Sequence, residues 1–208
     1  MSRRILVAST NPGKMRELSA LLDLDIEWLT LKDFPDVPEV VEDGKTFEEN
    51  SRKKALGYAN ATGEWTIADD SGLAVDALDG APGIHSARFS GPKDPAEQRS
   101  LIDHRNIAKV LELMKDVPES ERTARFVCCI CLAAPGRVLV ETRGTMEGII
   151  TKKEIGTGGF GYDPIMFIPE KNKTAAELSA DEKNELSHRG EAIKKLKPSL
   201  QDILRTNA

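Results

Sequence analysis

Two adjacent carboxylates lie between the two short apolar runs of one segment, and they constrain what this part of the chain can form. In the segment Trp65 to Val75, Asp69 and Asp70 are followed by a serine and a glycine. Carboxylates side by side repel, so a chain that places them where a strand should end usually has a cation, a proton or a reacting group for them to share. A polar turn that caps backbone groups is the alternative. The segment therefore predicts a strand that ends at the carboxylates, and it leaves a turn and a functional site both open.

The composition restricts the class of protein. A chain of 208 residues can form one domain or two small lobes, and 39% hydrophobic with 30% charged residues is ordinary for a globular protein. A net charge of -5 argues against a basic surface that binds nucleic acid, although a few local lysines could still bind a phosphate. The apolar run Ile5 to Ala8 is too short for a signal peptide or a membrane span. We therefore expect a cytoplasmic protein with no nucleic-acid or membrane partner.

Apolar periodicity predicts strands and helices that alternate early in the chain, with a hairpin later. The predicted strands are Arg4 to Ser9, Ile26 to Leu31, Trp65 to Ala68, an extended run from Ile84 to Phe89, a hairpin of Ala124 to Ala134 with Val138 to Thr142, and Ile165 to Ile168. One predicted helix follows Gly13, and a second runs from a Thr46 cap to about Ala61. A third runs from Pro95 to Met114, and the last follows Ser187. This order predicts an α/β fold, a mixed sheet with helices packed around it.

All three cysteines of the chain fall in one apolar run. Cys128, Cys129 and Cys131 lie within Phe126 to Ala134, and no histidine is near enough in sequence to complete a metal set. Because free cysteine is often buried, we expect them to be buried strand residues.

The turn after the first predicted strand could present backbone N–H groups and a helix amino terminus to an anion. It consists of Ser9, Thr10, Asn11, Pro12, Gly13 and Lys14. The glycine and lysine spacing of a Walker P-loop is absent, and a plain turn with a solvated lysine is the alternative. On the helix that Thr46 begins, Asn50 and Lys54 are one turn apart, so a carboxamide and an ammonium can point at the same place. Glu42 precedes this helix in an acidic turn.

Two later segments carry further candidate residues. The glycine-rich loop Thr157 to Pro164 offers the flat faces of Phe160 and Tyr162, which could stack on a nucleobase or could instead lie in the core. Lys183, Ser187, His188 and Arg189 lie just before the last predicted helix. Ser187 alone would be a helix cap, but a cap followed by His188 and Arg189 is also a set of hydrogen-bond donors suited to the carbonyl oxygens of a base.

Together these segments resemble the Ham1/RdgB family, the noncanonical purine nucleoside triphosphate pyrophosphatases also called inosine triphosphate pyrophosphatases. The resemblance rests on Ser9 to Lys14, Phe47-Glu48-Glu49-Asn50 with Lys54-Ala55, Ala68 to Leu73, Gly83 to Arg88, Phe160 to Pro164, and Lys183 with Ser187-His188-Arg189. It covers nearly the whole chain, with Ser51 and His85 as minor departures. It implies one ITPase-like domain over residues 1–208, with an elongated sheet and two lobes around a central cleft. It also implies a homodimer that hydrolyses ITP, dITP and XTP to the monophosphate and pyrophosphate with Mg²⁺, cleansing the nucleotide pool.

Cleavage between the α and β phosphates needs cations around the leaving pyrophosphate. Lys14 and Lys54 are therefore the predicted phosphate cradle, and Glu42 and Asp70 are suited to hold Mg²⁺, which takes oxygen ligands and keeps much of its water. The resemblance implies that Asp70 is the general base. It leaves Asp69 as a second ligand or an orienting neighbour, and which carboxylate takes the proton stays open.

Donor counting predicts how the base is selected. Donors from Lys183, His188 and Arg189 would match the six-carbonyl of hypoxanthine and xanthine and would meet the amino group of adenine donor to donor. The complete set of predicted substrate contacts is Ser9, Thr10, Asn11, Pro12, Gly13, Lys14, Lys54, Ser71, Phe160, Gly161, Tyr162, Asp163, Lys183, His188 and Arg189. A Maf-like pyrophosphatase of other specificity and a non-catalytic purine-nucleotide sensor are the alternatives.

Overall fold

A computed structural model describes residues 3–9, 14, 15, 18, 21, 22, 24–92 and 97–206. The predicted anion-binding turn at residues 10–13 lies outside this part of the chain. The strands are β1 (Arg3–Val7), β2 (Ile26–Thr30), β3 (Trp65–Val75), β4 (Thr123–Ala134), β5 (Arg137–Ile150), β6 (Met166–Ile168) and β7 (Lys173–Thr174). The α-helices of the fully described stretches are α1 (Phe47–Thr62), α2 (Arg99–Leu113), α3 (Ala180–Leu186) and α4 (His188–Thr206). Short 3-10 turns occupy Leu31–Asp33, Asp76–Leu78, Gly83–Arg88, Glu119–Glu121, Asp163–Ile165, Pro169–Lys171 and Ala175–Glu177.

The strands form one mixed sheet in the order β2-β1-β3-β4-β5-β6-β7. β1 pairs in parallel with both β2 and β3, whereas β6 is antiparallel to β5 and β7. β4 and β5 are neighbours joined by the two residues Pro135-Gly136, as the hairpin prediction requires. The predicted α/β class with a mixed sheet is thus confirmed. None of the helices in the described part of the chain is long and apolar enough to cross a membrane.

The chain divides into two compact units. Unit 1 takes its described residues from 1–70, 128–144 and 187–208, and unit 2 takes its own from 71–127 and 145–186. The predictions of an elongated single domain, of lobes and of a cleft are not tested by this division and stay predictions.

In unit 1, the alternation of β3 places side chains on two faces of the sheet. Trp65 and Ile67 pack in a cluster with the apolar face of α4, including Ile193 and Leu196. Ala68 packs in a second cluster, which contains residues of α1. The three cysteines of β4 are buried, as predicted. Asp69 and Asp70 continue the alternation of β3, so they project to opposite faces of this strand.

In unit 2, apolar residues of α2 and of the strands form one core, in which Ile107 and Val110 pack with Leu73. The buried side chain of Arg122 links segments around this core by hydrogen bonds. The guanidinium of Arg122 donates to the carbonyl oxygens of Met114 at 2.6 Å and of Ile150 at 2.7 Å. Its charge is thereby solvated by backbone dipoles, which offsets the cost of burial.

Two predictions of strand structure were wrong, and one short helix was missed. β3 does not end at the carboxylates but runs through them for 11 residues, so the polar turn is excluded. The run Ile84 to Phe89 is not extended, because Gly83–Arg88 is a 3-10 turn in which the Ser86 hydroxyl donates to the Gly83 carbonyl at 2.6 Å. The short helix α3 was not predicted at all.

Candidate active site

Five segments of unit 1 bring polar and charged side chains together: the helical residues that follow β1, the loop that carries Glu42, the first half of α1, the middle of β3 and the start of α4. The start of α1 agrees with its prediction, since the Thr46 side chain accepts a hydrogen bond from the Glu49 N–H at 3.1 Å. The Glu49 carboxylate bonds the N–H of Lys45 rather than that of Thr46, so only half of the predicted capping box forms.

Asp69 is held between two cations. Its Oδ2 lies 2.7 Å from Lys14 Nζ and 3.4 Å from Arg189 Nη2, and the carboxylate is buried. Burial acts to raise the pKa of Asp69, but the charges of Lys14 and Arg189 outweigh it and hold the pKa well below its usual range. Asp69 is therefore a permanent anion that fixes the two cations.

Asp70 lies in a different environment. Its Oδ2 accepts a hydrogen bond from Asn50 Nδ2 at 3.0 Å, and its carboxyl group is buried. Burial raises the pKa of Asp70 above its usual value, against the opposing effect of the Asn50 hydrogen bond. Neighbouring carboxyl groups whose surroundings push their pKa values apart are typical of sites that divide roles between the two. Asp70 is the one suited to gain and lose a proton.

Glu42 and Lys54 form a third part of the site. Lys54 Nζ lies 3.1 Å from Glu42 Oε2, and the Lys54 side chain is mostly buried. Burial acts to lower the pKa of Lys54, but Asp69 and Glu42 outweigh it and raise the pKa. Asn50 and Lys54, predicted to point at the same place, contact two different carboxylates, Asp70 and Glu42 respectively.

The described residues hold no group of three His, Cys, Asp or Glu side chains that could bind a metal alone. Glu42 and Asp70 are nevertheless close enough for the charge of Glu42 to raise the pKa of Asp70. Mg²⁺ is usually bound by one or two carboxylates, substrate phosphates and water rather than by a complete protein cage. The donor set present therefore fits Mg²⁺ together with a phosphorylated ligand.

A small pocket in unit 1 lies beside Asp69 and its two cations. It is lined by Val7, Ala8, Ser9, Lys14, Leu18, Ile67, Asp69 and Arg189. Of the predicted phosphate-binding turn, Ser9 and Lys14 are described, and both line this pocket. The remaining four residues, Thr10, Asn11, Pro12 and Gly13, lie outside the described part.

The start of α4 places His188 and Arg189. The Ser187 hydroxyl caps the helix by accepting from the Gly190 N–H at 3.0 Å. β5 approaches this first turn so closely that a Cβ on Gly144 would lie 2.1 Å from the His188 carbonyl oxygen. Both predicted base-reading side chains of α4 are buried, and Arg189 is engaged with Asp69.

In unit 2, the glycine-aromatic loop is organised around Asp163. The carboxylate of Asp163 accepts from the Phe160 N–H at 2.8 Å and pairs with Lys183 Nζ at 2.5 Å. The Lys183 ammonium also lies 4.7 Å from the centre of the Phe160 ring, a cation–π distance. The structure thus brings together Phe160, Asp163 and Lys183 of the predicted substrate contacts.

Tyr162 is held by Ser86 of the Gly83 to Arg88 motif, and Gly161 by Asp103, which the sequence analysis did not single out. The Tyr162 ring is buried in the core of unit 2, and its hydroxyl donates to the Ser86 carbonyl at 2.8 Å. Of the two aromatic faces, Phe160 is thus the more accessible one. The Gly161 N–H donates to Asp103 Oδ2 at 3.0 Å. Asp103 lies 58 positions away in sequence, so no local signal could have identified it.

Comparison with known proteins places these observations in a family. Residues 5–199 match the model of the Ham1 family. A dITP/XTP pyrophosphatase of Geobacter sulfurreducens is 52% identical over 95% of this chain and 96% of its own, and one of Exiguobacterium sp. is 48% identical over the same shares. Among solved structures, a HAM1 protein from Coxiella burnetii superposes with a TM-score of 0.86 at 39% identity, over 96% of this chain and 99% of its own. The Ham1 protein of Staphylococcus aureus gives 0.85 at 38% identity over the same shares.

Proposed function

Because the chain belongs to the Ham1 family, we propose that it is a pyrophosphatase of noncanonical purine nucleoside triphosphates, with dITP, XTP and ITP as substrates. The products are the nucleoside monophosphate and pyrophosphate. The observation that carries the proposal on this chain's own residues is the buried carboxyl group of Asp70. Its pKa is raised by burial, and Asn50, Lys54, Lys14 and Glu42 are the groups that act on it.

In the proposed reaction, a water molecule attacks the α phosphorus and the bond to the β-phosphate oxygen breaks. Asp70 takes the proton of the attacking water, and its buried carboxyl group is held in place for this role by Asn50 Nδ2 at 3.0 Å. Lys14 and Lys54 offset the charge that builds on the leaving pyrophosphate. Asp69 keeps Lys14 in place, which makes it an orienting neighbour rather than a base.

Glu42 and Asp70 would hold Mg²⁺, which supplies Lewis-acid stabilisation of phosphate charge when bound. Because Glu42 is paired with Lys54, arrival of a cation and a triphosphate would allow the lysine to exchange this carboxylate for phosphate oxygens. The exchange keeps each charge compensated.

Base selection is proposed to come from Lys183, His188 and Arg189, whose donors match a carbonyl at purine position six and oppose the adenine amino group. The ring of Phe160, with Lys183 beside it, offers a stacking surface. The sequence resemblance further supports a homodimer acting in the cytoplasm.

The test is a substrate panel. The purified protein is incubated with dITP, XTP, ITP, dATP, dGTP, dTTP or UTP with Mg²⁺, and pyrophosphate and monophosphate are measured. We expect release from dITP, XTP and ITP, far less from dATP, and none after chelation of the metal or in Asp70→Asn. Preference for dTTP or UTP would instead indicate a Maf-like enzyme, and binding of dITP without pyrophosphate release would indicate a sensor.

A further inference from the structure

The side chain of Asn50 is engaged at both ends of its carboxamide. Its Oδ1 accepts from the backbone N–H of Gly44 at 2.8 Å, and its Nδ2 donates to Asp70 Oδ2 at 3.0 Å. The residue is 1% exposed and lies in the first turn of α1. A buried carboxamide with both ends bonded has one orientation only.

The bond to Gly44 decides which end of the amide faces Asp70. A backbone N–H can only donate, so it must meet the oxygen of the carboxamide, and the NH₂ group is thereby directed at the carboxylate. Asp70 therefore meets a donor whose direction is set by main-chain geometry.

The approach of the loop to Asn50 depends on the absence of a side chain at residue 44. A Cβ on Gly44 would lie 2.6 Å from Asn50 Oδ1 and 2.8 Å from the Cβ of Glu49. Gly44 follows Glu42 by two residues, so the loop that carries Glu42 is tied to the same amide that bonds Asp70.

We propose that Asn50 is a positioning residue of the reaction, which fixes the rotation of the Asp70 carboxylate and keeps the Glu42 loop in register with it. The inference rests on the proposed function, because it assigns Asn50 a role through Asp70. Displacement of a reacting group by about 1 Å can cost about 100-fold in rate. The effect is therefore expected in kcat rather than in KM.

Asn50→Asp separates positioning from loop attachment. The aspartate keeps the volume and the acceptor for the Gly44 N–H, but it replaces the donor by an oxygen that faces Asp70. If Asn50 served only to attach the loop through the Gly44 N–H, this substitution would leave kcat unchanged. Thr46→Ala is the matched control, since it removes the cap of the same helix at a cost of about 1 kcal/mol and leaves the Asn50 amide intact.

The experiment measures kcat and KM for pyrophosphate release from dITP with Mg²⁺, and the melting temperature, for the wild type and each variant. We expect Asn50→Asp to lower kcat about 10- to 100-fold with KM within about twofold, whereas Thr46→Ala lowers the melting temperature and leaves kcat unchanged. Asn50→Ala removes the donor without adding charge and should also lower kcat. It serves as the test if the aspartate variant does not fold.

Two results would be decisive against these ideas, and they differ. A wild-type protein that releases no pyrophosphate overturns the proposed function and the positioning role with it. An active wild type in which the folded Asn50 variants keep their kcat, or change only KM, overturns the positioning role alone.

Discussion

Asp69→Asn should destabilise the folded protein strongly, because it leaves two cations facing each other without their shared anion. Lys14 keeps some access to water, with 20% of its side chain exposed, but Arg189 is only 3% exposed. An asparagine of the same shape would still occupy the site. The loss of stability therefore reports the effect of the missing charge and not a change in packing.

The size of the effect follows from the two distances. At an effective dielectric constant of about 20, unit charges separated by the observed 2.7 Å and 3.4 Å attract by about 6 and about 5 kcal/mol. Desolvation offsets much of this, and removing one member of a buried pair costs about 3 to 5 kcal/mol. We expect the lower end, about 3 kcal/mol, because Lys14 can rehydrate. In a protein of this length that corresponds to about 6 to 12 °C in melting temperature.

The assay is thermal unfolding by calorimetry or circular dichroism, with Asp76→Asn as the control. Asp76 also has two partners, since it accepts from Thr123 Oγ1 at 2.7 Å and from Arg125 Nη2 at 3.0 Å, but these side chains are exposed. Its loss should cost less than about 1 kcal/mol. Adding Arg189→Met to Asp69→Asn should recover part of the stability, because the uncompensated buried cation is removed.

The reasoning is refuted if Asp69→Asn and Asp76→Asn lower the melting temperature equally. That outcome would mean that burial of the ion pairs around Asp69 contributes nothing to their strength.

Three further outcomes are expected. Native protein at pH 8 should not react with a maleimide at its three cysteines, because burial raises the pKa of Cys131 to about 12 and keeps thiolate scarce, and mass spectrometry should find three modified thiols only in denaturant. Gly144→Ala should lower the melting temperature by the equivalent of about 1 to 3 kcal/mol, since its Cβ would overlap the first turn of α4, and an unchanged melting curve would contradict so close an approach. Lys183→Met should lower kcat/KM for dITP about tenfold by removing the cation that holds Asp163, and an unchanged value would remove this loop from substrate binding.

Much of unit 1 could be predicted from local signals. The residues at each end of α1 predict its cap at Thr46 and its end before Gly63, and the apolar residues of α4 recur at helical spacing. That Asn50 and Lys54 lie on one face of α1 also follows from helix geometry alone.

The continuity of β3 could not be predicted, because the partners that stabilise its two carboxylates come from residues 14, 50 and 189. A local pattern of aspartates, serine and glycine favours a turn, and only distant contacts reverse that preference. The same holds for the turn at Gly83–Arg88, where the Ser86 hydroxyl accepts from the Leu73 N–H at 2.9 Å. In both places tertiary hydrogen bonds outweigh local propensity.

The two tryptophans of the chain provide an optical consequence of the fold. Trp65 is buried in the core of unit 1, where the Arg3 guanidinium lies 4.4 Å from its ring centre, and the partly buried Trp28 packs against the same core. Unit 2 contains no tryptophan in its sequence. Intrinsic fluorescence therefore reports the melting of unit 1, whereas far-ultraviolet circular dichroism reports both units. Recording the two signals on one sample would reveal whether the units lose structure together or in sequence, without any label.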